Sequence, residues 1–171
     1  MATARSIPTG YQREIERAQS QEHVLVFMTF DADTLATPIR VVNDPKDHTY
    51  GGETYTGFMF DIEILSDTDQ PPRAQVSVQN VDRQIGEALR QTTDPIRCTI
   101  TICPGSEFDQ TVDPRTEIGT AAVVYQATDL YLVDVEVDAM YVRGVLMLWD
   151  YSQEQWPSVM ATQDRMPGLF R

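Results

Sequence analysis

Along most of the chain, apolar and polar residues alternate with a period of two or gather into short continuous apolar runs. Both patterns predict β-strands. The run "HVLVFMTF" over residues 23–30 predicts a buried strand, and "IRVV" from Ile39 predicts a second. "NDPKD" then predicts a turn, because Asn43 and Asp44 can fold back on their own backbone and Pro45 fixes φ. "TYGGETYTGFMFDIEIL" predicts a hairpin about Gly51 and Gly52, which accept positive φ. It continues as an alternating strand, with Phe58, Phe60, Ile62 and Ile64 on one face and Met59, Asp61, Glu63 and Leu65 on the other. "RAQVSVQNV" alternates in the same way through Ala74, Val76 and Val78, and "IRCTITICP" predicts another strand. Three more are expected, near residues 122–126, 130–137 and 140–148.

Two segments change period. Thr9 and Gln12 make a T-x-x-Q capping pattern, and Tyr11, Ile15 and Ala18 then share a face, predicting a helix over about 9–20. Asn80 can cap a second helix in which Val81, Ile85, Ala88 and Leu89 share a face, ended by Asp94 and Pro95. From about residue 153 to 171 no period is evident, which predicts an extended C-terminal arm. Many strands, two short helices and turn signals between them predict a mainly β chain, a β-barrel or β-sandwich. With 171 residues and no repeat or low-complexity linker, a single domain over 1–171 is the simplest organisation.

Composition narrows the function classes. The net charge of −13 opposes a surface built to grip nucleic-acid phosphates or anionic lipid, since both need clustered Lys and Arg. No apolar run approaches a membrane span, and the first residues hold no apolar stretch that would serve as a signal peptide, so synthesis in a cytosol is expected. Cys98 and Cys103 lie five apart, on opposite faces of one strand, which disfavours a disulfide between them. They and the two histidines, His23 and His48, are too few for a confident metal set.

Motifs for chemistry are scarce. There is no phosphate-binding glycine loop, nucleophile elbow or H-E-x-x-H. Each histidine is expected in an ordinary structural or surface role. Carboxylates are plentiful, but Asp61 with Glu63, and Asp134 with Glu136 and Asp138, are neighbours along single strands, unlike a glycosidase pair facing across a cleft. No D-x-D-x-D-G calcium loop is present. Such acidic stripes read first as solvated strand faces. In a ring they could instead line a channel and repel phosphates. Trp149 and Trp156 could stack on sugar, though packing is the plainer role.

The segment "PIRVVNDPKDHTYGGETYTGFMFDIEILSDTDQPPRAQVSVQNVDRQIGEALR" and the closing "RMPGLF" resemble a family of small tail proteins of long-tailed bacteriophages, catalogued largely as a domain of unknown function. The quoted motifs fall in the family's order over nearly the whole chain. The same layout is similar to the N-terminal part of the minor tail protein L of phage lambda. The chain lacks that relative's Cys-rich C-terminal region, and two cysteines cannot supply the four thiolates of an iron–sulfur cluster, so no cofactor is carried over.

The resemblance implies a tail-tube-like β-barrel hub domain at the distal end of the tail of a virion, not an enzyme. It implies a trimeric or hexameric ring joining the tail tube or distal tail protein above to central fibre or hub proteins below. DNA would pass through without specific binding, and the chain itself would bind no membrane. On this reading Asp134, Glu136 and Asp138 would line the channel and Pro167, Leu169 and Phe170 would form an inter-subunit arm. Arg73, Asn80, Asp82 and Arg83 would act as a structural strand-to-helix junction. An assembly chaperone or adaptor absent from the mature particle is an alternative, and a tail-associated hydrolase a more distant one.

Overall fold

A computed structural model describes residues 9–20, 22–63, 73–79, 86–87, 90, 92, 94–138, 140–148, 163–165 and 168. Among these residues it is mainly β: a ten-stranded sheet curled into a half-barrel, with a bounded helix and a 3-10 turn. The helix α1 spans Thr9–Ile15 and ends earlier than the expected residue 20. Its last turn tightens where Arg17 N–H reaches the Glu14 carbonyl, and Ser20 Oγ then donates to the Glu14 carboxylate at 3.3 Å. Helical backbone recurs at Gly86, Glu87 and Arg90, within the second expected helix; the rest of that stretch lies outside the described residues. Among the described residues, no helix is long and apolar enough to cross a membrane.

The strands are β1 Val24–Asp31, β2 Ile39–Val42, β3 His48–Tyr50, β4 Glu53–Gly57, β5 Phe60–Ile62, β6 Arg73–Gln79, β7 Ile96–Pro104, β8 Arg115–Thr116, β9 Tyr125–Val137 and β10 Tyr141–Leu148. Their order across the sheet is β5-β6-β10-β9-β7-β1-β2-β4-β3-β8. Pairings are antiparallel except β2 with β4 and β3 with β8. The run expected to alternate from Phe58 onward divides. Phe58 N–H still donates to the Val42 carbonyl at the β2 edge, after which the chain crosses to pair β5 with β6 at the far end of the sheet. Ile64 and Leu65 lie outside the described residues.

The strands expected at 122–126 and 130–137 are instead one strand, β9, which begins only at Tyr125 and runs on to Val137; residues 122–124 precede it outside any strand. Two bulges let it run that far. Ile100 faces Ala127 while Cys98 faces Leu130, and Val145 faces Val133 while Arg143 faces Glu136, so at each place β9 has one residue too many. Asp129 and Asp134, at φ 61° and 51°, take the left-handed conformation at these two places. Asp tolerates it because its short polar side chain can bond locally. Each extra residue shifts the inward phase: Tyr125 and Ala127, then Leu130 and Leu132, then Val137 all pack on the same core. Bulges also increase local twist, which helps a sheet to curl.

The curled face encloses a filled core that includes Met28, Phe30, Val41, Phe60, Val76, Val78, Cys98, Leu130 and Leu146. A second, smaller core lies on the opposite face, built from Leu25, Phe27, Val42, Tyr55, Cys103, Phe108 and Ala121. β1 therefore has buried side chains on both faces, as a continuous apolar run predicts. β7 does the same at its end, and Cys98 and Cys103 are free thiols in different cores. Burial pushes both thiols up to about 12.

Candidate functional site

A groove of about 500 Å³ opens on the face away from the main core. A register row crosses it: Asp61 of β5 faces Ser77 of β6, Ser77 faces Arg143 of β10, and Arg143 faces Glu136 of β9. Glu63, Gln75, Val145 and Asp134 complete the polar and apolar lining. Asp61, Glu63, Asp134 and Glu136 are all exposed. Four carboxylates thus stand against one guanidinium, and Arg143 lies over the Tyr141 ring, 5.6 Å from its centroid. In physiological salt such a surface acts over about 8 Å, repelling phosphate and attracting cations. No group of three or more His, Cys, Asp or Glu side chains converges to hold a metal among the described residues.

The bulge at Asp134 builds this groove. Strict alternation from Leu130 and Leu132 would turn Glu136 into the core; the extra residue turns it outward and sends Val137 inward. Asp134 and Glu136 thus join Asp61 and Glu63, which come from the β5 edge of the sheet, across β6 and β10. Asp138 is exposed but sits at the turn into β10, where its N–H donates to the Tyr141 carbonyl at 2.8 Å. Of the expected junction, Arg73 is an exposed residue opening β6, facing Met147, while Asn80, Asp82 and Arg83 lie outside the described residues. Pro167, Leu169 and Phe170 also lie outside them.

The "NDPKDHTYGGETYTG" stretch folds as a turn and hairpin over the second core. Gly51 and Gly52 take φ 60° and 81° at its tip, and Gly51 N–H donates to the Glu117 carboxylate at 2.8 Å. Gly57 N–H donates to Asp47 Oδ1 at 2.8 Å, and a Cβ on Gly57 would stand 2.6 Å from the Asp44 carbonyl oxygen. Beneath the turn lies a charged cluster that sequence reasoning missed. The Arg115 guanidinium donates to Asp44 Oδ2 at 2.8 Å, with side chains only 17% and 9% exposed. Asp44 Oδ1 also accepts from Lys46 N–H at 2.9 Å. His48 is fully buried beside this pair, its Nε2 3.6 Å from Asp44 Oδ1, with the rings of Phe27 and Phe108 at right angles to it. Desolvation holds the His48 pKa below its ordinary value; Asp44 raises it and Arg115 lowers it further.

Asp44 and Arg115 are 71 positions apart, so no local pattern could pair them. The pairing emerges only in the fold, where β3 meets β8 in a register that places His48 against Arg115. The acidic groove was half legible: both pairs of acids stand out in the sequence, but not their meeting.

A search of curated proteins finds no match. A family model described as a domain of unknown function (DUF1833) matches residues 12–160. That span takes in all ten strands of the half-barrel, both sides of the acidic groove and the buried Asp44–Arg115 pair. The chain belongs to this family.

Proposed function

We propose that this chain is a structural protein of the distal tail of a long-tailed bacteriophage or phage-like particle. In this reading it is a hub-type module whose copies form a trimeric or hexameric ring between the tail tube and the central fibre or receptor-binding assembly. The observation that carries the reading is the acidic groove, where Asp61 of β5, Glu63 just beyond it, and Asp134 and Glu136 of β9 line one exposed face with Arg143. Turned toward a lumen, that face lets DNA slide without sticking, because it repels phosphate at short range. The resemblance of the quoted motifs to small phage tail proteins supports the same reading, as does a curled β-sheet whose short edge strands leave little for indiscriminate pairing.

The test is a cryo-EM map of intact tails from the particle that encodes the chain. A closed distal ring of this chain, with Asp134 and Glu136 toward the channel, is the expected result. Absence of the chain from purified particles refutes the reading and favours an assembly chaperone or adaptor.

A further inference from the structure

We propose that His48 is an acid-sensitive latch: with His48 neutral, the lobe formed by the β3–β4 hairpin, β8 and residues 105–121 stays docked on the outer face of β1, and acidification releases it. The proposal is independent of the phage reading.

The geometry carries it. The imidazole is fully buried, and among the described residues neither ring nitrogen has a hydrogen-bond partner. It is wedged between Phe27 of β1 and Phe108 of the lobe, with ring centroids at 5.9 and 5.2 Å. A cation at that position would lose its hydration and gain only the attraction of Asp44, whose Oδ1 lies 3.6 Å from Nε2, and the loss of hydration is the larger effect, which makes charging it costly. The charged and titratable groups acting on it are Asp44 on its own loop, Arg115 of β8 and His23 ahead of β1. Asp44 would attract the cation, but its oxygens already serve Arg115 and Lys46 N–H. Arg115 and His23 both oppose charging. Tyr50 and Cys103 in the same core are pushed up to about 12 and stay neutral in acid.

The sign follows from linkage. The docked state has the lowered pKa, so the undocked state binds more protons below the ordinary value of 6.5. Docking is strongest above about 6.5 and weakens as pH falls toward the docked pKa. With one proton coupled, the undocking constant rises up to about tenfold between pH 7.5 and 5.5, above the range where ordinary carboxylates protonate.

The experiment is hydrogen exchange read by mass spectrometry on the full chain at about pH 7.5 and about pH 5.5, corrected for intrinsic rates. The reporters are amides that bridge the lobe to the rest of the sheet: Phe58, which donates to the Val42 carbonyl, and Gly105, which donates to the His23 carbonyl. The expected result is up to about a tenfold loss of their protection at the lower pH, with β6 and β10 unchanged. In His48→Phe the loss disappears, and in His23→Gln it persists. Unchanged lobe protection, or equal loss across β6 and β10, overturns the proposal. Should His48→Phe fail to fold, proton NMR of the wild-type His48 imidazole decides: titration below the ordinary histidine value supports the latch, and titration at or above it overturns the proposal.

Discussion

Replacing Arg115 with Met tests how the outer lobe is anchored. The change keeps side-chain volume and deletes a charge that sits 2.8 Å from Asp44 Oδ2 with both side chains largely buried. What remains is a carboxylate largely out of water, still bonded by the Lys46 N–H and with the buried His48 ring 3.6 Å away, but without its cationic partner. Breaking a buried pair from one side costs about 3–5 kcal/mol. Arg115 keeps some solvent contact, so the lower end, about 3 kcal/mol, is the expected loss. For a chain of this size that is a fall in Tm of about 6–12 °C. Urea unfolding followed by circular dichroism, with thermal scans in parallel, gives both numbers. The decisive comparison is the double variant Asp44→Asn, Arg115→Met. Asn retains the acceptor for Lys46 N–H, and no unpaired charge is left. The double variant should therefore be less destabilised than the sum of the two single changes, by about 2 kcal/mol. If Arg115→Met lies within about 1 kcal/mol of wild type, or the two changes simply add, the pair is not the anchor argued above.

Three further outcomes are expected. Gly57→Ala puts a methyl 2.6 and 2.7 Å from the Asp44 and Lys46 carbonyl oxygens, which cannot swing away, and should cost about 1–3 kcal/mol in urea unfolding. A wild-type midpoint would show the turn to be more yielding than described. Asp134→Val forces a β-branched residue to φ 51° and should cost about 1–2 kcal/mol, whereas Asp134→Gly should stay near wild type in a thermal scan. Equal effects of the two would remove the bulge argument. Cys98 and Cys103, buried and pushed up to about 12, should resist a thiol reagent at about pH 8 in the folded protein and react fully in denaturant. Fast labelling of the native protein contradicts their placement.

Much of the sheet was readable because its strands carry their own period. "IRVV" and "IRCTITICP" became strands at the expected bounds, and "RAQVSVQNV" is a strand over Arg73–Gln79, its last two residues lying outside the described ones. β9 was misread as two strands because its apolar phase changes at Asp129, and a change of phase looks like an interruption; the second change, at Asp134, lies inside the expected 130–137 strand and went unread. An Asp inside an otherwise apolar alternation, followed by apolar residues one step out of phase, is the signal that marks a bulge. The second core was hidden for another reason. Leu25 and Phe27 look like the rest of a buried run, and nothing local tells which face is covered by Phe108, some eighty residues away. Asp44 with Arg115, and His48 with Phe27 and Phe108, are products of the same long-range closure.

The paired bulges bear on how the length of this chain can vary over evolution. In a regular strand, gaining or losing one residue turns every residue beyond it to the wrong face. At Asp134 the extra residue is already absorbed, so losing one residue there leaves Leu132 and Val137 both pointing inward. Asp129 offers the same allowance between Ala127 and Leu130. Related chains that differ in length within this strand should differ by one residue at these two places, trading coil for straightness while the interior stays in phase.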